Sequence, residues 1–332
     1  MYEHKILKTR WKEVDKSLAS FYLKNNKLNK KMQDKIQDVL NGIKIEYSDL
    51  FTYAKISYIA LLHRRIQELK ENGNLKGYTG YLLNNLYNKN KLKNNEVIKG
   101  LILVEYYKMT TERDEIENIL FKEVAEASYM QGQKEAIKIT KNKKLFDLPT
   151  ALLLSVFAIP TYSGYKWADY KDGNIVFEAS TLVNVVYEKM QRQEDLSVDD
   201  LDLQKVFNKQ QNTYLSKKKP DKIDKDKYSN PFFGVLDNQV ELLTNQIALE
   251  GMKKQGVEKV QFVAVMDEKT TDMCESLNGQ IFYINDWNTY SRYSKADDRN
   301  VIYKTFGLEV GANLPPINNN FHYCRSTIIP YR

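Results

Sequence analysis

The sequence is poor in cysteine, lacks proline before residue 149 and has no long apolar run, and these absences limit the class of protein it can be. Two cysteines, Cys274 and Cys324, are too few for the disulfide framework of a small secreted domain. The charged N-terminus lacks the apolar stretch of a signal peptide. No apolar run approaches the ~20 residues of a membrane span. We therefore expect a soluble protein of a reducing intracellular compartment, with no membrane partner.

Enzyme signatures are also missing. The sequence contains no glycine-rich phosphate loop, no nucleophile elbow and no set of kinase motifs. Acidic pairs such as Asp199-Asp200 and Asp297-Asp298 have no partner residues at metal-ligand spacing. We expect a structural or assembly protein that needs no cofactor, rather than an enzyme.

Positive charge is concentrated in the first half of the chain. Residues 1–148 contain 28 Lys+Arg against 19 Asp+Glu, whereas residues 149–332 contain 22 against 24. A basic segment of this kind is typical of a protein that meets a polyanion, either nucleic acid or an acidic protein surface. It is equally typical of a solvated helical surface in a lysine-rich sequence, so both interpretations stay open.

Proline placement predicts the organisation of the chain. All seven prolines lie at or after Pro149, and a proline-free stretch with apolar residues three and four apart predicts long helices. The fold class is then α+β, mostly helical in its N-terminal two-thirds. The expected segments are a long-helix domain over 1–148, a helical middle segment over 149–215, an exposed, aliphatic-poor linker over 216–230 and a small α+β domain over 231–332.

Several helix boundaries and faces follow from local signals. One helix should end near Asn72-Gly73, and another should begin at Thr111, where Thr111-Glu112-Arg113-Asp114 resembles a capping box. Four apolar helix faces are predicted: Leu7, Trp11, Val14, Leu18 and Phe21; Ile59, Leu62, Ile66 and Leu69; Val183, Val186, Tyr187 and Met190; and Leu236, Val240, Leu243 and Ile247.

Strands are expected only near the C-terminus. Residues 260–266 are rich in β-branched and aromatic side chains and predict a buried strand. Residues 281–284 and 327–329 are its candidate partners. Asn278-Gly279, just ahead of the second of these segments, indicates a hairpin-like turn.

Few residues suit catalysis or metal binding. Of three histidines, His63 falls inside a predicted helix and is interpreted as an ordinary helix residue. His322 lies two residues before Cys324, and Cys274 can approach both in the fold. This set can bind zinc with a fourth ligand, form a thiol–imidazole pair for nucleophilic catalysis, or simply pack. Because neither CxxC nor HExxH spacing is present, packing is the favoured interpretation.

The last hundred residues contain an ordered series of motifs. After a predicted helix and strand come Asp267-x-Lys269-Thr270, Cys274-x-x-Leu277-x-Gly279, Pro315-Pro316 and Cys324-Arg325-Ser326-Thr327. This order resembles that of the Mu F-like minor head proteins of tailed bacteriophages, also called phage head morphogenesis proteins. The resemblance covers about a third of the chain.

The resemblance implies a minor capsid protein of the virion, located near the portal and assembled in the host cytoplasm. Its expected role is in head assembly, in DNA packaging or in ejection. The main implied partner is the portal protein. Packaged double-stranded DNA and other head or scaffold proteins are further implied partners. Two alternatives remain: a DNA-binding protein of the particle, or a thiol- or metal-dependent enzyme that uses Cys274, His322 and Cys324.

Two departures from the family pattern bear on the metal interpretation. Thr271 stands where family members often have a first cysteine, and Ser326 where they often have a last one. A four-thiol zinc site is therefore not available in this sequence.

We interpret the remaining motifs as a structural clasp between the turn that follows the first strand and the C-terminal strand. Gly279 is expected to supply a positive φ, and Arg325 to pair with a carboxylate such as that of Asp267. The two cysteines are expected to be neighbours with free thiols. The clasp residues are Asp267, Thr270, Cys274, Gly279, Cys324 and Arg325.

Overall fold

The computed structural model describes residues 2–73, 75–152, 167–203, 205–206, 231–264, 278–284 and 327–332. Within them, long helices precede a small antiparallel sheet near the C-terminus, which is the α+β class expected from the sequence. The elements are α1 (Tyr2–Asn41), α2 (Ile56–Glu71), α3 (Gly77–Tyr87), α4 (Asn94–Thr140), α5 (Trp167–Gln191), α6 (Pro231–Lys254), β1 (Lys259–Val263), β2 (Ile281–Tyr283) and β3 (Thr327–Tyr331), with short 3-10 helices at Tyr47–Asp49 and Val198–Leu201.

Helix α2 shows how the apolar period determines a local element. Leu62, Ile66 and Leu69 lie on one face and are buried. The helix ends at Glu71 with Asn72 as its C-cap, and Gly73 follows with a φ of +67°. Glycine suits this position because an L side chain is strained at positive φ. Both the face and the stop predicted from the sequence are confirmed.

Helix α4 is continuous through Thr111, so the helix start predicted at that residue is wrong. The hydroxyls of Thr110 and Thr111 donate to the carbonyl oxygen of Tyr107 at 2.8 and 3.2 Å. This back-bonding is how threonine is accommodated inside a helix. The real start lies at Asn94, where the Glu96 carboxylate accepts a hydrogen bond from the backbone N–H of Lys93 at 2.9 Å.

The chain divides into two compact units. Unit 1 contains Met1–Phe21, Asn118–Trp167 and Pro231–Arg332, and unit 2 contains Tyr22–Glu117 and Ala168–Asn230. This grouping differs from the consecutive segments expected from the sequence. The reason is that α1 and α4 are long enough for each to supply residues to both units.

Unit 2 has its own apolar core, to which all the helices α1 to α5 contribute. The burial of these apolar side chains is the main source of stability of unit 2, because each Å² of apolar surface removed from water contributes about 25 cal/mol. The most completely buried members include Ile36, Leu50, Leu62, Ile66, Leu83, Leu92, Leu101, Tyr106, Leu182 and Leu201.

In unit 1, α4 and α6 cross at a pair of glycines. A Cβ atom added at Gly132 would lie closer than 3.0 Å to the backbone of Ala248, and one added at Gly251 would lie equally close to that of Tyr129. The two backbones are therefore in direct contact, which only glycine permits. No helix among the described residues is both long and apolar enough to cross a bilayer.

Candidate functional site

The C-terminal sheet is the part of the predicted site that the structure describes. Helix α6 precedes the sheet, and its predicted face of Leu236, Val240, Leu243 and Ile247 is buried. Gly256 follows the helix with a φ of +80° and redirects the chain into β1. The predicted helix face and its end near Gly256 are both confirmed.

Strand β1 is the central strand of the sheet, whose order is β2-β1-β3. Both predicted partner segments pair with it in antiparallel fashion, and both pairings are confirmed. Lys259 lies opposite Tyr283 on one side and Tyr331 on the other. At the other end of the strand, Val263 lies opposite Thr327.

A buried hydrogen bond joins the C-terminal strand to α6. The hydroxyl of Thr327 donates to Oδ1 of Asn245 at 2.6 Å, and both side chains are buried. A buried polar pair of this kind is stable only when both groups are satisfied. The bond therefore fixes the first residue of β3 against the helix that precedes β1.

Gly279 has the positive φ that the sequence predicted, at +83°. Its N–H donates to the carbonyl of Phe262 at 2.9 Å, and its carbonyl accepts from Nε2 of Gln261 at 3.0 Å. Oδ1 of Asn278 accepts from the N–H of Ala264, also at 3.0 Å. The turn is not a two-residue hairpin, because the connection between β1 and β2 runs from residue 264 to residue 280.

The other clasp residues lie outside the described part of the chain, as does the alternative ligand His322. What the described residues establish is where the chain leaves and re-enters the sheet. Val263 ends β1 and Thr327 begins β3 at the same end of the sheet, beside Asn278 and Gly279. The residues outside the described part are Asp267, Thr270, Cys274, Cys324 and Arg325.

An ionic cluster in unit 2, in which Arg113 and Glu117 are buried, was not predicted from the sequence. Nζ of Lys171 on α5 lies 2.9 Å from Oε2 of Glu117 and 2.5 Å from Oδ1 of Asp114, both on α4. Nη2 of Arg113 donates to Oδ1 of Asn29 on α1 at 3.3 Å. The cluster thus joins three helices. The only local signal was the i, i+4 spacing of Arg113 and Glu117 beside a buried helix face.

The pKa values of this cluster reflect burial working against charge pairing. Burial raises the pKa of Glu117 above its usual 4.5, although Lys171 and Arg113 act to lower it. Burial lowers the pKa of Arg113 to about 10, against the opposing effect of Glu117. Burial alone would lower the pKa of Lys171, but Glu117 and Asp114 outweigh it and raise the pKa above 10.5. Arginine and lysine therefore stay charged at neutral pH.

The remaining candidates have ordinary structural surroundings. His63 lies in α2, with Nε2 3.3 Å from the carbonyl oxygen of Leu86 and its ring 5.2 Å from that of Tyr87. The Asp200 carboxylate accepts a hydrogen bond from the backbone N–H of Ser197 at 2.9 Å, which caps the second 3-10 helix, and another from the Ser197 hydroxyl at 2.7 Å.

No three or more His, Cys, Asp or Glu side chains within the described ranges form a group that could hold a metal ion. A search of protein-family models, of curated proteins and of solved structures finds no match to this chain.

Proposed function

We propose that this chain is a minor head protein of a tailed bacteriophage, associated with the portal vertex and acting in head assembly or in DNA packaging and ejection. The observation that carries the proposal is the ordered series of motifs from Asp267 to Thr327, which follows a helix and a strand. The described elements support it, because α6 and β1 form the helix and strand that precede the series. Its last motif leads into β3, which the Thr327–Asn245 hydrogen bond joins to α6.

The clasp suits a structural role in such a protein. The segments that contain Asp267 and Arg325 leave and re-enter the sheet at one end, where Gly279 also lies. Asp267 is four residues beyond Val263, and Arg325 is two residues before Thr327. Chain segments of these lengths reach at most about 14 and 7 Å, so an ion pair between the two side chains is sterically accessible. Such a pair would link the segment after β1 to the segment before β3, and this role requires no substrate.

Purified phage particles provide the test of this function. Quantitative mass spectrometry should detect the chain in mature heads at a few copies per portal ring, and imaging of intact heads should place its density at the portal vertex. Absence of the chain from particles that form normally would overturn the proposal.

The alternative of a DNA-binding protein is favoured by the charge of residues 1–148, which contain 28 Lys+Arg against 19 Asp+Glu. Phosphate contacts release counterions, so the affinity for a DNA duplex would fall steeply as the salt concentration rises. Each phosphate contact would lower log K by about 0.9 for every tenfold rise in salt concentration. Fluorescence anisotropy with a labelled duplex measures this slope. A flat salt dependence would exclude DNA as the main partner.

A further inference from the structure

Two segments of unit 2 form a surface that presents apolar side chains to solvent. We name residues 44–56 and 89–93 the aromatic tip. Ile56 is 85% exposed, Tyr53 71%, Phe51 68% and Tyr47 42%. Single exposed apolar residues are normal on a protein surface, whereas four of them within ten residues are typical of an interaction site.

The backbone of the aromatic tip is held firmly in place. The N–H of Ala54 donates to the carbonyl of Leu92 at 2.9 Å, and the N–H of Asn94 donates to that of Thr52 at 3.0 Å. Nδ2 of Asn94 also donates to the carbonyl of Asp49 at 3.0 Å. Leu50 and Leu92 are buried beneath these bonds.

The exposure of the aromatic side chains therefore does not result from a loose loop. A surface that is already ordered loses little conformational entropy when it binds, which favours affinity.

The charge around the aromatic tip is positive on balance. Lys44, Lys55, Lys91 and Lys93 are exposed, and none of them takes part in the ion pairs formed among the described residues. Against these four lysines the tip has two carboxylates, those of Glu46 and Asp49. A partner with an excess of carboxylates would complement this surface and be steered toward it.

We propose that the aromatic tip docks into an apolar groove rimmed by carboxylates on a partner protein of the assembled head, an inference that rests on the proposed function. Rigid aromatic and aliphatic anchors dominate the energetics of protein interfaces. A nucleic-acid strand fits less well. Ile56, the most exposed anchor, cannot stack on a base as an aromatic ring does, and Glu46 and Asp49 would face phosphates.

Incorporation into heads tests this proposal with the full-length chain. Phe51→Ser combined with Ile56→Ser removes the two anchors whose side chains are wholly apolar. The control is Tyr81→Ser on α3, which removes a side chain that is 60% exposed outside the tip. Because a few anchor residues carry most of the binding energy of an interface, the amount of the double variant in purified heads should fall by about tenfold or more. The control should be incorporated like the unaltered chain, and circular dichroism should show that all variants are folded.

Charge reversal provides an independent variant. Lys91→Glu combined with Lys93→Glu should also reduce incorporation, whereas Lys24→Glu, an exposed lysine of α1, should not. Normal incorporation of both tip variants would overturn the docking proposal alone. Absence of even the unaltered chain from heads would overturn the proposed function and the docking proposal with it.

Two further measurements distinguish other occupants of the tip. Anisotropy with a labelled DNA duplex and a labelled oligothymidine would reveal a nucleic-acid surface, and light scattering would reveal self-association. If the tip variants are incorporated normally but lose DNA binding, the tip is a nucleic-acid surface. If they are incorporated normally but change from a dimer to a monomer, the tip binds a second copy of this chain. Either result would overturn the proposed protein partner. Unchanged DNA affinity and unchanged mass, with reduced incorporation, are the results we expect.

Discussion

At Glu117, burial and charge pairing act in opposite directions on one carboxyl group. Burial dominates and raises the pKa above 4.5, although Lys171 lies only 2.9 Å away. The folded chain thus keeps a proton that the unfolded chain has already lost over part of the acid range. The stability that this proton contributes is complete below the unfolded pKa and is lost as the pH rises through the folded pKa.

We therefore expect Glu117→Gln, which cannot titrate, to become more stable relative to the unaltered chain as the pH rises from about 4 to about 7. Urea denaturation at several pH values measures this difference. Glu123→Gln is the control, because it makes the same chemical change at an exposed side chain of the same helix. A relative stability of Glu117→Gln that falls with rising pH would contradict the assignment.

The two glycines at the crossing of α4 and α6 make a second prediction at the scale of single residues. A Cβ atom at Gly132 or Gly251 would overlap the backbone of the facing helix. Backbone atoms cannot move aside as a flexible side chain does, so Gly132→Ala and Gly251→Ala should each lower the free energy of unfolding by about 1–3 kcal/mol.

The matched control for these glycines is Gly173→Ala on α5, where an added Cβ atom meets nothing within 4 Å. Alanine there should raise the free energy of unfolding by up to about 1 kcal/mol, because glycine is a poor helix former. Urea denaturation compares the three variants. Stabilisation at Gly132 or Gly251 would show that the helices can separate without loss.

The proposed clasp predicts unequal effects among its residues. Cys274→Ser and Cys324→Ser should cost little stability and leave infectivity near normal, because a structural thiol only packs. Arg325→Ala should do more harm, since it would leave a partner carboxylate buried and unpaired at a cost of about 1–3 kcal/mol. Loss of infectivity in either serine variant, with the protein still folded, would favour the thiol- or metal-dependent alternative.

At the scale of elements, helix α3 is capped by a side chain from another helix. The carboxylate of Asp172 on α5 accepts hydrogen bonds from the backbone N–H groups of Tyr78 and Thr79, the latter at 3.1 Å. Two otherwise unpaired amides at the helix N-terminus are thereby satisfied. Gly77 begins the helix with a φ of +68°, and a Cβ atom there would meet the same carboxylate.

Asp172→Ala should therefore lower the free energy of unfolding by about 0.5–2 kcal/mol, the usual cost of losing an N-cap. Asp172→Asn should retain part of this stability, because its amide oxygen can still accept a hydrogen bond. Asp195→Ala, at an exposed position in the connection after α5, is the control. Thermal unfolding followed by circular dichroism ranks the three variants, and equal losses at Asp172 and Asp195 would contradict the capping role.

The elements that the sequence predicted correctly are those whose signal lies within one segment. The apolar period of Leu62, Ile66 and Leu69 defines α2, and that of Val183 and Val186 lies within α5. Strand β1 and both of its partners were recognisable because β-branched and aromatic residues cluster between polar segments. The glycine turn at Gly279 belongs to the same class, since a positive φ is a local requirement.

Features that depend on contacts between distant segments were not predictable in this way. A pattern that resembles a capping box is present at Thr111, but the helix continues through it and the Thr111 hydroxyl donates to the carbonyl of Tyr107 in the preceding turn. The Asp172 cap links residues that are 93 and 94 positions apart in the sequence. The same holds for the pair of Glu117 and Lys171, because the pairing that offsets the cost of burying each charge forms only when α4 and α5 pack together.

At the scale of the whole molecule, α4 contributes to two compact units. Its first half, up to Glu117, belongs to unit 2, where Leu101 and Tyr106 are fully buried in the core. Its second half, from Asn118, belongs to unit 1 and packs on α6 through Gly132 and Gly251. The two halves of one continuous helix are thus stabilised by different parts of the sequence.

Removal of residues 231–332 should therefore affect the two halves of α4 differently. Residues 118–140 lose the helix that covers them, including the bond of 3.0 Å from Gln255 to Gln133, so their amides should exchange with solvent much faster. Residues 94–117 should keep their protection, because their core lies wholly within unit 2.

Hydrogen exchange followed by mass spectrometry resolves the two halves of the helix. The control is a chain that lacks only residues 327–332, which retains α6 and should protect both halves. Equal loss of protection along all of α4 would show that the helix unfolds as one piece and that the unit 2 core is not independent. Unchanged protection over 118–140 would show that α6 is not what stabilises this half.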